Sequence, residues 1–281
     1  MKVKLIADSG STKTDWALVA DEGPVFIVHT QGINPIHQDE SVIRSVLTTE
    51  LIPQLGGRHV NEVFFYGSGV RASEEDSMQR ILQEALDAPN VEARGDLLGA
   101  ARSLCGCHEG IVCILGTGAN SCLFDGTRIL LNTPPLGYIL GDEGSGAVLG
   151  VSLLNALYKG LLPEMMRKEF EDELGLSLTT VIQRVYRQPM ANRFLASLSP
   201  FIHSRLDHPA VRNLVIDNFR RFLQRNIAPY QRHDLPISAV GSIAYYYRQQ
   251  FGEAANMEGY ALGCIERSPL EALVRYHSSQ F

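Results

Sequence analysis

Two short stretches of the chain share one layout, and that layout limits what it can fold into. The first reads Leu5-Ile6-Ala7-Asp8-Ser9-Gly10-Ser11-Thr12-Lys13-Thr14-Asp15-Trp16-Ala17-Leu18-Val19. The second reads Ile111-Val112-Cys113-Ile114-Leu115-Gly116-Thr117-Gly118-Ala119-Asn120-Ser121-Cys122-Leu123-Phe124. In each, an apolar strand-like run meets small residues, reverses, and returns as a second strand-like run. Small residues at a tight reversal leave backbone N–H groups uncovered, and a row of such groups makes a nest for an anion. Two nests in two halves of one chain suit the phosphates of a nucleotide held between two domains.

The rest of the chain repeats the same order around each turn. Residues 3–8, 15–20 and 25–30 predict a three-stranded meander. A helix over 41–51 stopped by Pro53, a buried strand at 60–66, a helix at 74–86, a strand at 91–94 and a helix at 96–104 follow. The order then restarts with a second meander at 110–115, 119–124 and 127–131. Residues 144–226 read as mostly helical, 236–240 as a strand, and helices follow from Ser242 and from Glu258. A length of 281 residues allows one large domain or two ordinary ones. The expectation is therefore α/β, with two domains of related topology over 1–109 and 110–281. The second carries a helical insertion at about 152–233.

Charge and composition exclude several classes. The net charge is -6 and there is no basic run suited to a phosphate backbone, so nucleic acid is not an expected partner. No apolar run of about eighteen residues predicts a membrane span. The N-terminal residues meet Asp8 without a long apolar segment, unlike a signal peptide. The 5 cysteines lack the spacing of a disulfide framework, so a reducing cytoplasm is expected. Cys105-Gly106-Cys107-His108 has no second ligand pair at a familiar spacing, and reads as free cysteines near a helix end.

Asp8 closes the first apolar strand just before the turn. A carboxylate there, beside backbone donors, suits Mg²⁺ held mostly through water while the donors hold phosphate. A plain hairpin is the other reading, because Asp-Ser-Gly-Ser is good turn sequence. No Gly-x-x-x-x-Gly-Lys-Ser/Thr string is present, nor a strand–Gly-x-Gly-x-x-Gly–helix unit. Asp96 sits between a short strand and a helix. It suits a general base whose ionised form the helix N-terminus favours, or equally a helix cap. Asn34, in Gly32-Ile33-Asn34-Pro35, offers an amide that both donates and accepts, or simply begins a turn. Asp142 lies in a glycine-rich loop ahead of an apolar helix, where capping is the alternative. Ala239-Val240-Gly241-Ser242 is a strand–helix corner with room for a flat ring, or merely a tight turn. The run Tyr245-Tyr246-Tyr247 reads as packing, with one ring inward.

Together, Asp8-Ser9-Gly10-Ser11-Thr12-Lys13-Thr14-Asp15, Leu115-Gly116-Thr117-Gly118-Ala119-Asn120-Ser121 and Leu140-Gly141-Asp142-Glu143-Gly144-Ser145-Gly146 resemble the BadF/BadG/BcrA/BcrD ATPase family. The closest branch is the N-acetylglucosamine kinases, within the sugar kinase, Hsp70 and actin superfamily. The motifs keep the family's order from residue 8 to about residue 263. The resemblance implies two ribonuclease-H-like domains, the actin-like ATPase fold with an interdomain cleft, using ATP and Mg²⁺ on a small sugar. It implies phosphate contacts from Ser9, Gly10, Ser11, Thr12, Lys13, Gly116, Thr117 and Gly118, with Asp8 at the metal. Gly241 and Ser242 would face adenosine. Asn34, Asp96, Thr117, Asp142 and Glu143 would face the sugar, Asp96 as the base. Ser9 and Ser11 replace two of the family's glycines, Gly95 replaces a frequent Asn, and Ser242 replaces a glycine. A homodimer is compatible with the branch. A second branch is an ATPase activator of a 2-hydroxyacyl-CoA dehydratase or benzoyl-CoA reductase, which requires cysteines at an iron–sulfur cluster. A third is a non-catalytic, actin-like nucleotide-binding regulator, which the Gly141-Asp142-Glu143-Gly144 motif disfavours.

Overall fold

The computed structural model describes residues 2–10, 12–20 and 24–278, so Ser11 of the expected phosphate loop lies outside the described residues. The chain forms two compact units, Met1–Cys107 with Ser268–Phe281, and His108–Arg267. The first unit contains β1 (Val3–Ser9), β2 (Lys13–Ala20), β3 (Phe26–Gln31), α1 (Glu40–Val46), β4 (Glu62–Gly67), α2 (Glu75–Leu86), β5 (Asn90–Gly95) and α3 (Asp96–Cys105). The second begins with β6 (Glu109–Leu115), β7 (Ala119–Asp125) and β8 (Ile129–Leu131). Seven helices follow: α4 (Gly137–Leu140), α5 (Gly146–Tyr158), α6 (Glu164–Leu174), α7 (Leu178–Tyr186), α8 (Ala191–Ala196), α9 (Ser199–His203) and α10 (Pro209–Phe222). The unit ends with β9 (Ile237–Val240), α11 (Ser242–Tyr246), α12 (Arg248–Met257) and β10 (Leu262–Glu266), and the final helix is α13 (Leu270–Ser278).

Each unit is built on a five-stranded sheet, ordered β3-β2-β1-β4-β5 and β10-β9-β6-β7-β8. Read from its other edge, the second sheet is β8-β7-β6-β9-β10, the first sheet with every strand five places later. In both, an antiparallel meander is joined to two parallel strands. The repeated topology expected from the sequence is therefore present.

The central strand β1 is covered on both faces, and its side chains alternate with period two. Leu5 and Ala7 join Trp16, Leu18, Val63 and Phe65 in one core. Ile6 joins Ala17, Val19, Tyr66, Leu270 and Leu273 in another. The second unit packs its helices around Ile111, Leu115, Leu149, Leu153, Phe219 and Phe222. Tyr247 is the buried ring of its tyrosine run, while Tyr246 is exposed.

Two expectations are corrected. No helix starts at Glu258: α12 ends at Met257, Gly259 turns the chain in the left-handed region, and β10 pairs in parallel with β9. Glycine at 263 permits this approach, since a Cβ there would lie 2.4 Å from Ser238 Oγ. The second domain also does not run to the C-terminus, because α13 belongs to the first unit. Its Leu270 and Leu273 complete the Ile6 core, and buried Lys4 donates from Nζ to the His277 carbonyl at 2.7 Å. Arg102 donates to the Tyr66 hydroxyl at 2.7 Å, which lies 2.9 Å from His277 Nε2.

Burial, with the nearby Arg102 and Lys4 cations, lowers the His277 pKa to about 3. The neutral ring is the form the fold accepts, so its contribution is intact above about pH 6.5 and declines as pH falls toward 3. At pH 5 this amounts to about 2 kcal/mol, from about 1.4 kcal/mol per pH unit. Thermal unfolding of wild type and His277→Phe at pH 7 and pH 5 checks it. The wild type should lose more stability on acidification than the variant; equal losses would contradict the assignment.

Candidate active site

In the first unit, β1, β4 and β5 run parallel and end abreast. Ser9 pairs with Gly67 and Gly67 with Gly95, so Asp8, Tyr66 and Arg94 form the preceding row. Ligands of such sheets gather beyond the carboxyl ends of the strands. Asp8 stands at that edge, half-buried, on the Ile6 face of β1. Its pKa rises to about 7, first through burial and then through repulsion from Asp96 and Asp15, with Lys13 opposing. Asp96 follows Gly95 as the first residue of α3; Gly95 occupies the cap position that the sequence also offered to Asp96. Burial raises the Asp96 pKa to about 6, against the pull of the Leu97 and Asp96 backbone N–H groups.

The turn between β1 and β2 is held from within. Gly10 N–H donates to the Lys13 carbonyl at 3.0 Å, and Gly32 N–H donates to the Thr12 carbonyl at 3.1 Å. Lys13 Nζ lies 2.7 Å from Asp15 Oδ2, and Asp15 Oδ1 lies 2.7 Å from His29 Nδ1. Ser9 departs from expectation. Period two sends its side chain to the Leu5 face, where its hydroxyl donates to the Ile33 carbonyl at 3.0 Å and meets Thr14 Oγ1 at 2.7 Å. That hydroxyl is fully buried and committed to the fold, so it adds no donor for a phosphate. Asn34 accepts from Ile36 N–H on Oδ1 at 3.0 Å. It packs on Gly69, where a Cβ would sit 2.3 Å from Oδ1, and Gly95 lies against the neighbouring Val70 carbonyl. Asn34 and Gly95, the residue before Asp96, thus lie against the same 67–70 segment.

The second unit brings its own set together. Gly116 N–H donates to Gly118 O at 2.9 Å, while Gly146 and Ala147 N–H donate to Gly116 O and Thr117 O at 2.8 and 3.2 Å. The Gly116 and Thr117 carbonyls are thereby satisfied by the start of α5, and the Gly118 carbonyl from within the turn. The Thr117 and Gly118 N–H groups have no intrachain acceptor among the described residues, the arrangement an anion nest needs. Asp142 lies beside them, with Oδ2 at 3.1 Å from where a Gly118 Cβ would be. Its backbone is left-handed, with φ 56°, held by its N–H donating to Pro135 O at 2.8 Å. Burial raises the Asp142 pKa to about 6, reinforced by Glu143 and opposed by N–H groups of Ala119 and Gly137. Burial also works against the Glu143 charge, but hydrogen bonds from Arg225, its own backbone and Asn226 leave its pKa below the usual value. Gly241 adjoins the same corner, its N–H donating to Glu266 O at 3.0 Å, and Ser242 is exposed beside it.

Asn218 and Arg225 were missed by the sequence reading. Asn218 Oδ1 accepts from Gly144 N–H at 3.1 Å and its Nδ2 donates to Ser145 O at 3.3 Å. A signal existed: Asn218 falls on the helical stripe of Val211, Val215 and Phe222, where a buried amide calls for a partner. For Arg225 no local signal exists, since its partner is distant in sequence.

The glycines differ in why they are glycine. A Cβ at Gly241, which has φ 118°, would lie 2.3 Å from Leu115 O, whereas one at Gly116 meets nothing within 4 Å and one at Gly10 only Lys13 O at 3.7 Å. Gly241→Ala should lower Tm by about 5 °C or more. Gly116→Ala should leave Tm within about 2 °C of wild type, since the added methyl meets no neighbouring atom. Calorimetry of both checks this, and an unfolded Gly116→Ala protein would contradict it.

No protein-family model and no curated protein sequence matches the chain. A structure from Porphyromonas gingivalis, provisionally named an N-acetylglucosamine kinase, superposes with TM-score 0.95 at 46% identity, covering 99% of each chain. One from Chromobacterium violaceum, with the same provisional name, superposes with TM-score 0.77 at 18% identity, over 98% of this chain and 99% of that one. A ROK family glucokinase from Streptomyces griseus in complex with glucose and AMPPNP gives TM-score 0.55 at 14% identity, over 99% and 98%. The last two share the fold, that of the actin-like ATPases. With nearly half its residues identical over the full length of the Porphyromonas protein, the chain belongs to that protein's family, the N-acetylglucosamine kinase-like sugar kinases.

Proposed function

We propose that this chain transfers the γ-phosphoryl group of ATP to a hydroxyl of an amino sugar, N-acetylglucosamine, within the BadF/BadG/BcrA/BcrD branch of the superfamily. The observation that carries this reading is the pair of half-buried carboxylates, Asp8 and Asp96, at the ends of parallel strands in a chain 46% identical to its Porphyromonas relative. Asp96 is the base. Its carboxylate accepts the proton as the sugar oxygen bonds to the γ-phosphorus, the bond to the β–γ bridging oxygen breaks, and ADP leaves.

Gly10, Thr12 and Lys13, with the backbone of Ser9, take phosphate in the first unit; Gly116, Thr117 and Gly118 do so in the second. Lys13 approaches as an ammonium steered by Asp15. Asn34, Thr117, Asp142 and Glu143 bind sugar hydroxyls, with the Asn34 Nδ2 group available as a donor. Gly241 and Ser242 adjoin the adenosine. Asp8 fits a magnesium ion, because burial and the Asp96 and Asp15 charges leave its carboxylate short of a cation. Asp8 would be the protein's ligand to that ion, whose other ligands would be water and phosphate oxygens. Magnesium supplies charge neutralisation on the transferring phosphoryl group. The activator reading is less well served: of Cys105, Cys107, Cys113 and Cys122, the last two are buried in β6 and β7, and burial pushes the Cys113 thiol well up.

An ADP-release assay with N-acetylglucosamine, N-acetylmuramic acid, glucosamine and glucose tests the reading. Turnover should be fastest with N-acetylglucosamine, and no sugar-dependent ADP release would overturn it. Asp96→Asn should lower kcat by about 10²-fold or more with AMPPNP binding retained. Because the base must be ionised, wild-type kcat should fall on acidification through about pH 6. Near-normal turnover in Asp96→Asn would remove the base assignment.

A further inference from the structure

We infer that Arg225 is a positioning residue for the sugar site, holding the Glu143 carboxylate in place to accept a sugar hydroxyl. The inference rests on the sugar-binding role proposed above for the 142–146 loop.

Past Phe222 the helix widens to π-type hydrogen bonding over Leu223–Ile227, and Arg225 lies in that segment. Its NH1 donates to Glu143 Oε1 at 2.6 Å. The segment is anchored independently of this contact. The Asn226 carbonyl accepts from the Thr133 hydroxyl at 2.9 Å, and the Tyr230 hydroxyl meets Ser121 Oγ at 2.8 Å and Thr133 N–H at 3.1 Å. The guanidinium is exposed, but it projects from a fixed platform. One continuous helical stretch thus holds the loop twice, its backbone through Asn218 and its acidic side chain through Arg225.

Glu143 needs the second hold. Its side chain is only 12% exposed and it follows Asp142 directly, so two carboxylates share a half-dry loop. Without a cation, repulsion and burial would drive Glu143 outward or protonate it. Arg225 holds Oε1 at 2.6 Å, whereas Oε2 meets Asn226 Nδ2 at the longer 3.5 Å, so Oε2 is the more loosely held oxygen and the one that can be offered to a ligand. A charge that merely supported the fold would affect stability and nucleotide binding together. One that aims Glu143 affects sugar binding alone.

Isothermal titration of N-acetylglucosamine, and separately of Mg-AMPPNP, into wild type, Arg225→Met, Arg225→Lys, Glu143→Gln and the Arg225→Met/Glu143→Gln double variant tests this, alongside Tm. Arg225→Met should raise the sugar Kd by about tenfold or more, an effect of the size expected for a lost charge-assisted hydrogen bond. Arg225→Lys should recover part of it, AMPPNP affinity should hold, and Tm should fall by no more than a few degrees. The double variant should bind sugar no worse than Arg225→Met alone, because the two residues act through one contact. Unchanged sugar affinity in Arg225→Met, or parallel loss of AMPPNP affinity and Tm, would overturn the inference. Should Arg225→Met fail to fold, Glu143→Gln with unaltered sugar affinity would do the same. If wild type itself binds no sugar, the amino-sugar reading falls and this inference with it; if wild type binds and Arg225→Met matches it, only this inference falls.

Discussion

The parallel register of β1, β4 and β5 is the constraint on which the first unit's chemistry depends. With Ser9, Gly67 and Gly95 abreast, the residues at that edge have nowhere to go but the rim of a sheet covered on both faces. Period two then decides the orientation of each. Asp8 shares the Ile6 face and Ser9 the Leu5 face, so the carboxylate meets Asp96 and Asp15 while the hydroxyl is drawn into the core. The covering layers strip water from both carboxylates, which raises their pKa values. A carboxylate stripped of water in this way favours a proton or a cation beside it.

The second unit repeats the strand order with different chemistry at its edge. Where the first unit places carboxylates, the second places a glycine turn whose Gly116 and Thr117 carbonyls accept from the start of α5 and whose Thr117 and Gly118 N–H groups have no intrachain acceptor among the described residues. The two glycines near this corner show how to separate fold from function. Gly241 is required by the Leu115 backbone, so the chain itself explains it. Gly116 has open space around its missing Cβ, so the packing of the chain itself does not require a glycine there.

Much of this was legible in the sequence because it is local. Strand–turn–strand patterns around residues 10 and 117 gave the duplicated meanders, and the carboxylates at 8 and 96 follow directly from where strands end. What was not legible depends on distant partners. Residues 262–266 form a strand because β9 offers a free edge and Gly263 lets it approach Ser238, which nothing in the segment announces. The return of α13 depends on the Lys4 ammonium, the Tyr66 hydroxyl and an apolar face on the far side of β1. The fate of the Ser9 hydroxyl was not legible, because Thr14 comes beside it only once β1 and β2 pair and the Ile33 carbonyl only once β3 returns alongside β2. Arg225 had no local cue at all.

A crystal structure with AMPPNP, Mg²⁺ and N-acetylglucosamine bound measures the central claim most directly. The acceptor sugar hydroxyl should lie about 2.6–3.2 Å from an Asp96 carboxylate oxygen, the distance proton transfer needs. The Thr117 and Gly118 N–H groups should meet phosphate oxygens. A sugar whose hydroxyls all point away from Asp96, with the triphosphate seated elsewhere than on the 116–118 turn, would contradict the assignment of phosphoryl transfer to these strand ends.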